Sequence, residues 1–128
     1  MNVPEGLFFT KEHEWVKIDG NLAKMGISDH AQHELGDITF VELPGLHAQF
    51  EQFKQIATIE SVKAASDVYA PLSGKISAIN REVVDNPDLV NKFPYDQGWL
   101  LVIELTEESQ IQHLMDAEGY KNYLKENM

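Results

Sequence analysis

Apolar and polar residues alternate with period two through Glu14-Trp15-Val16-Lys17-Ile18, the pattern of a half-buried strand. Phe8-Phe9 opens a short apolar segment just before it, and Leu22 to Ile27 answers it after Asp19-Gly20. Glycine accepts the positive φ of a tight hairpin turn without steric cost, so these two runs predict a hairpin. Ser28 predicts the N-cap of a short helix over Asp29 to Leu35, with Asp29 in its electropositive first turn and Gly36 ending it. Ile38 to Leu43 is β-prone and stops at Pro44-Gly45, whereas Ala48 to Phe53 carries no readable period. Gln55 to Glu60 alternates, Val68-Tyr69-Ala70 is strand-like, Pro71 to Gly74 turns the chain, and Lys75 to Ile79 alternates again. Asn80 predicts the cap of a brief helical turn, and Asn86-Pro87-Asp88-Leu89 opens a second with Pro at its first position. Trp99 to Leu105 is a continuous apolar run, read as a central strand. Thr106 before Glu107-Glu108 predicts a helix start with Ile111, Leu114 and Met115 on one face. Gly119 interrupts that pattern, and Tyr120 to Asn127 predicts a terminal helix.

Many short strands with short helices between them predict a mainly β fold, a small sandwich or flattened barrel with peripheral helices and a C-terminal helix. The 128 residues fit one domain, 1–128, with neither linker nor low-complexity segment. No apolar run approaches a membrane span, and Met1 to Gly6 is neither basic nor apolar, so a bacterial-type cytoplasmic protein is expected. A formal net charge of −11 opposes binding to nucleic acid or anionic lipid. With no cysteine there is no disulfide framework, thiolate metal site or cysteine nucleophile, and any redox sulfur must come with a cofactor.

Catalytic patterns are missing. The chain has no Gly-x-Ser-x-Gly elbow, phosphate-binding glycine loop or dinucleotide fingerprint. His13-Glu14 lacks the second histidine of a zinc-protease helix, and His30 and His33, three apart, lack further identifiable metal ligands, so no metal is expected. Lys63 stands out by its setting. It lies in Ile59-Glu60-Ser61-Val62-Lys63-Ala64-Ala65-Ser66-Asp67-Val68-Tyr69-Ala70-Pro71, between Val62 and Ala64, with Glu60 three residues before and Gly74 eleven after. Two β arms meet at it, forming a hairpin over about 55–71 that would hold the lysine rigidly at its base and present it outward. A swinging cofactor arm needs that arrangement.

The chain resembles the H protein of the glycine cleavage system, a lipoyl carrier. The resemblance rests on Lys11-Glu12-His13-Glu14-Trp15, Gly26-Ile27-Ser28-Asp29-His30-Ala31-Gln32, Leu35-Gly36-Asp37, Val41-Glu42-Leu43-Pro44-Gly45 and the Lys63 run, followed by Leu72-Ser73-Gly74, Asn86 to Asn91, Pro94-Tyr95 and Gly98-Trp99. It implies a lipoyl-domain-like barrel-sandwich hybrid with lipoic acid amide-linked to Lys63. Glu60 and Gly74 match positions that a lipoate-attaching enzyme reads. The implied protein is not an enzyme. Its arm would carry the aminomethyl group of glycine from a pyridoxal-phosphate-dependent glycine decarboxylase to a tetrahydrofolate-dependent aminomethyltransferase. Dihydrolipoyl dehydrogenase would then reoxidise it. An amine on that arm calls for carboxylates and acceptors in its resting cleft, and the resemblance together with charge points to Glu12, Glu14, His30 and Asp67. A monomer is expected.

The sequence also departs from the family pattern. Gln49 to Lys54 has no glycine where a glycine-containing turn is usual, so this loop must adopt another conformation. Phe93 precedes Pro94-Tyr95, and Val102 and Glu104 stand where lysines are common. Those changes leave one rival reading, an H-like carrier serving lipoate relay to 2-oxo acid dehydrogenases or another lipoyl system; a third class is an unmodified scaffold with Lys63 as plain surface.

Overall fold

The computed structural model of the chain describes residues 2–127; Met1 and Met128, the ends of the expected domain, lie outside the described residues. Two antiparallel sheets carry the fold. One has the order β1 (Phe8–Phe9), β2 (Glu14–Asp19), β3 (Leu22–Ile27), β9 (Leu101–Leu105), β8 (Gly74–Ile79) and β5 (Gln49–Phe50). The other joins β4 (Ile38–Glu42), β6 (Gln55–Ser61) and β7 (Ala65–Tyr69). The inner faces of the two sheets meet in one apolar core, with Val16, Met25, Ile76, Leu101 and Ile103 from the first and Ile38, Val41, Ile59 and Val68 from the second. The architecture is a sandwich and not a closed barrel. As its apolar run predicts, β9 is central, hydrogen-bonded to β3 on one side and β8 on the other. Its ladder starts at Leu101, although the Leu100 N–H already donates to the Met25 carbonyl at 2.8 Å.

Local chemistry sets the first half. Asp19 pairs with Leu22 across the Asp19-Gly20 turn, where Gly20 takes φ +62°. Helix α1 (Asp29–Leu35) starts at Ser28, whose side chain accepts the Ala31 N–H, and ends at Gly36 with φ +76°. Asn80 caps α2 (Arg81–Asp85) in the same way. Pro87 has helical φ and ψ but sits one residue ahead of α3 (Asp88–Lys92), not at its first position.

A second, smaller core holds α4 (Ala117–Glu126) against β1 and β2 through Phe9, Trp15, Tyr120 and Leu124. The Phe9 and Tyr120 rings stack with centroids 4.4 Å apart. Trp15 lies across from Gly26, where a Cβ would come within 2.8 Å of Trp15 Nε1, so the glycine makes room for the indole.

Two further expectations change. The segment after Thr106 is a 3-10 helix over Glu108–His113 without a side-chain cap, and Met115 leaves it to pair with Phe9 as extended backbone. Ile111 and Leu114 therefore pack on the main core while Met115 joins the smaller one. Gly119 does not interrupt the terminal helix. Asp116 caps α4 and accepts the Gly119 N–H at 2.8 Å, and a good cap offsets the roughly 1 kcal/mol that glycine costs in a helix. In the glycine-free loop, Phe53 itself takes φ +68°, pinned by its N–H on the Ala70 carbonyl at 2.7 Å.

Candidate functional site

The turn joining β6 to β7 is organised by Ser61. Its hydroxyl oxygen accepts the N–H groups of Lys63 and Ala64, each at 3.2 Å, and its N–H donates to the Ala64 carbonyl at 2.8 Å. The Val62 N–H donates to the Asp37 carbonyl at 3.0 Å, tying the turn to the segment that follows α1. Lys63 is exposed on this braced turn. Its stem passes Gly36, where a Cβ would lie 3.3 Å from Lys63 Cε. The end of the lysine side chain thus rests over the glycine that ends α1.

Glu60 is exposed on β6, opposite Ala65 of β7. Gly74 is not brought to the hairpin tip. It is buried at the start of β8, in the other sheet, where a Cβ would come within 2.2 Å of the Glu104 carbonyl oxygen. Packing alone demands glycine there.

A cleft of about 480 Å³ opens beside the hairpin, and Glu12, Glu14, His30 and Asp67 all line it. Ile27, Leu35, Ile59 and Val68 supply apolar wall, and Ser66, Asp67 and Val68 reach it from the strand that leaves Lys63. The four polar residues differ in character. Glu12 is exposed at the rim, and His30 is half-buried on α1. Asp67 is exposed and accepts a hydrogen bond from Gln55 Nε2 at 2.9 Å. Glu14 is fully buried. One carboxylate oxygen accepts the Thr10 hydroxyl and the other accepts the Tyr69 N–H at 3.1 Å. Burial raises its pKa to about 7, against the lowering effect of those hydrogen bonds and with a small upward push from Glu12. It is a carboxyl poised between its two forms at neutral pH.

The sequence points to His13 in a failed zinc motif and in the family pattern, but not as a cleft residue. In the structure His13 takes φ +71° and its half-buried ring lines the same cleft. The ring lies 4.7 Å from that of His30, and Nδ1 is 2.8 Å from the Tyr120 hydroxyl. Burial and then the neighbouring His30 lower its pKa, opposed by Glu34. Among the described residues no group of three or more His, Cys, Asp or Glu could hold a metal ion. No helix among them is long and apolar enough to cross a membrane.

Comparison with known proteins gives a consistent picture. The family model for the glycine cleavage H-protein matches residues 7–127. A glycine cleavage system H protein from Halothermothrix orenii is 51% identical over 126 residues, covering 98% of each chain. One from Herpetosiphon aurantiacus is 53% identical over 125 residues, covering 98% of this chain and 95% of the relative. The crystal structure of a glycine cleavage system H protein from Mycobacterium marinum superposes with a TM-score of 0.84 at 32% identity, over 98% of both chains.

Proposed function

The chain belongs to the glycine cleavage H-protein family, and on that premise we propose that it is the non-catalytic lipoyl carrier of the glycine cleavage system, modified on Lys63. The whole chain, 1–128, then acts as one carrier domain, with the hairpin over about 55–71 as its business end. The observation that carries the reading is the pairing of a braced, exposed lysine with a cleft whose wall begins on the strand leaving it.

The residues present fit a lipoyl group. Lys63 is free for acylation, and the apolar stretch of the cleft from Ile27, Leu35, Ile59 and Val68 suits a hydrocarbon arm. When bound, the lipoyl group supplies the disulfide redox couple that a chain without cysteine lacks. The protein's own contribution is shelter. Glu14 and Asp67 offer anionic acceptors to an amine resting in the cleft, Glu12 adds charge at the mouth, and His30 closes the α1 side. A positive amine beside Glu14 would draw that carboxyl toward its ionised form. Glu60 fits a contact for the lipoate-attaching enzyme, since it is exposed next to the turn. Gly74 acts in that recognition only through the packing it permits.

The partners are then the glycine decarboxylase, the aminomethyltransferase, dihydrolipoyl dehydrogenase and the attaching enzyme, met in the cytoplasm by a monomeric carrier. The curated relatives favour glycine cleavage over lipoate relay. Two measurements test the reading. Intact mass after incubation with a lipoate-attaching enzyme should show one lipoyl adduct, lost in Lys63→Arg. The modified chain should support glycine–bicarbonate exchange by a glycine decarboxylase; full lipoylation without exchange would transfer the chain to the relay reading.

A further inference from the structure

Behind the cleft wall, Ser28, Tyr120 and His13 form one hydrogen-bonded chain. Ser28 Oγ lies 2.7 Å from Tyr120 Oη, which lies 2.8 Å from His13 Nδ1. The direction of the chain follows from what each atom has left to give. Ser28 is fully buried, and its oxygen already accepts the Ala31 N–H at 3.2 Å. A buried hydroxyl hydrogen without an acceptor is strongly disfavoured, and among the described residues Tyr120 Oη is placed to accept it. Tyr120 is also fully buried, and burial pushes its phenol above the ordinary range, so it keeps a hydrogen to pass on. That hydrogen goes to His13 Nδ1. An accepting Nδ1 leaves the proton of a neutral imidazole on Nε2.

We propose that His13 is a positioning residue of the cleft, held by the Ser28–Tyr120 relay as the neutral Nε2–H tautomer, so that the wall beside His30 carries no positive charge from this ring. The inference rests on the carrier reading above. A cationic His13 would repel a protonated amine resting in the same cleft and would compete with it for Glu14 and Asp67. The groups that face His13 are His30 and Glu34 from α1, Tyr120 and Tyr123 from α4, and its neighbours Glu12 and Glu14. Desolvation and the nearby His30 both oppose protonation of His13, in the same sense as the relay. The C-terminal helix thereby sets the chemical state of a cleft residue through the Tyr120 hydroxyl.

The test is the tautomer of His13 in the full chain at neutral pH, read from two-bond nitrogen–proton correlations of the imidazole rings. The expected result is a protonated Nε2 and a bare Nδ1 in the wild type, with both tautomers appearing in Tyr120→Phe. A protonated Nδ1 or an imidazolium in the wild type overturns the proposal, and so does a tautomer indifferent to Tyr120→Phe. If that variant does not fold, the wild-type spectrum decides alone. With the tautomer shown, Tyr120→Phe should shorten the lifetime of the aminomethyl-loaded carrier several-fold. An unchanged lifetime would remove the positioning role and leave the cleft reading standing, because that reading is judged separately by Asp67→Asn.

Discussion

Glu14 Oε2 accepts the Tyr69 N–H at 3.1 Å, a bond that joins β2 of the larger sheet to β7 of the smaller one. The buried carboxyl of the cleft is therefore also a tie between the two sheets, and its ionisation is coupled to folding. Its folded pKa of about 7 lies above the ordinary 4.5, so the native state holds the proton more tightly than the unfolded chain. The stabilisation is complete below the unfolded value and is lost as pH rises through the folded one. Over that window the wild type should lose on the order of 3 kcal/mol of stability through this one group. Glu14→Gln should flatten the dependence. Urea unfolding at a series of pH values checks this; equal slopes for wild type and variant would show that Glu14 ionises freely.

Lys63→Arg keeps the charge but cannot form the lipoyl amide. Lys63 is exposed and the turn is organised by Ser61, so stability should change by no more than about 0.5 kcal/mol. Carrier turnover should vanish. Residual turnover in a preparation free of wild type would move the modification elsewhere.

Asp67→Asn retains a carbonyl oxygen to accept from Gln55 and removes only the negative charge. Folding and lipoylation should be unchanged, and the loaded carrier should lose its aminomethyl group faster. Release of formaldehyde and ammonia from the loaded protein measures this. A lifetime equal to that of the wild type would exclude Asp67 from the resting site.

Gly74→Ala separates packing from recognition. The added Cβ meets main chain, the Glu104 carbonyl at 2.2 Å, as well as the Ile103 side chain, and backbone cannot turn aside. Destabilisation of about 1–3 kcal/mol is expected, visible in thermal melts with no attaching enzyme present. An unaltered melting temperature would return Gly74 to a direct role in recognition.

The parts of the fold that could be read from the chain are those decided within a few residues. The Asp19-Gly20 turn, the Ser28 cap and the Gly36 stop each depend on neighbours, and each forms as expected. Met115 leaves its helical pattern because its partner, Phe9, lies at the other end of the chain. Gly119 stays helical because an Asp116 cap outweighs glycine's low propensity. The positive φ of Phe53 could not be anticipated, since a bulky residue adopts it only when tertiary hydrogen bonds hold it. The cleft shows the same division. Glu12, Glu14, His30 and Asp67 were nominated by family pattern and charge, and they lie together. His13 escaped because its meaning comes from His30 and Tyr120, both distant in sequence.

The strand that leaves Lys63 is the outermost of its sheet, so among the described residues one side of its backbone has no neighbouring strand. A bare sheet edge is an invitation for another polypeptide to add on. Here the edge is only five residues long, carries the charge of Asp67, and has the Tyr69 N–H already occupied by Glu14. On the proposed carrier reading, the hairpin would present its lysine to one enzyme after another while its own margin deters strand addition by a second copy of the chain.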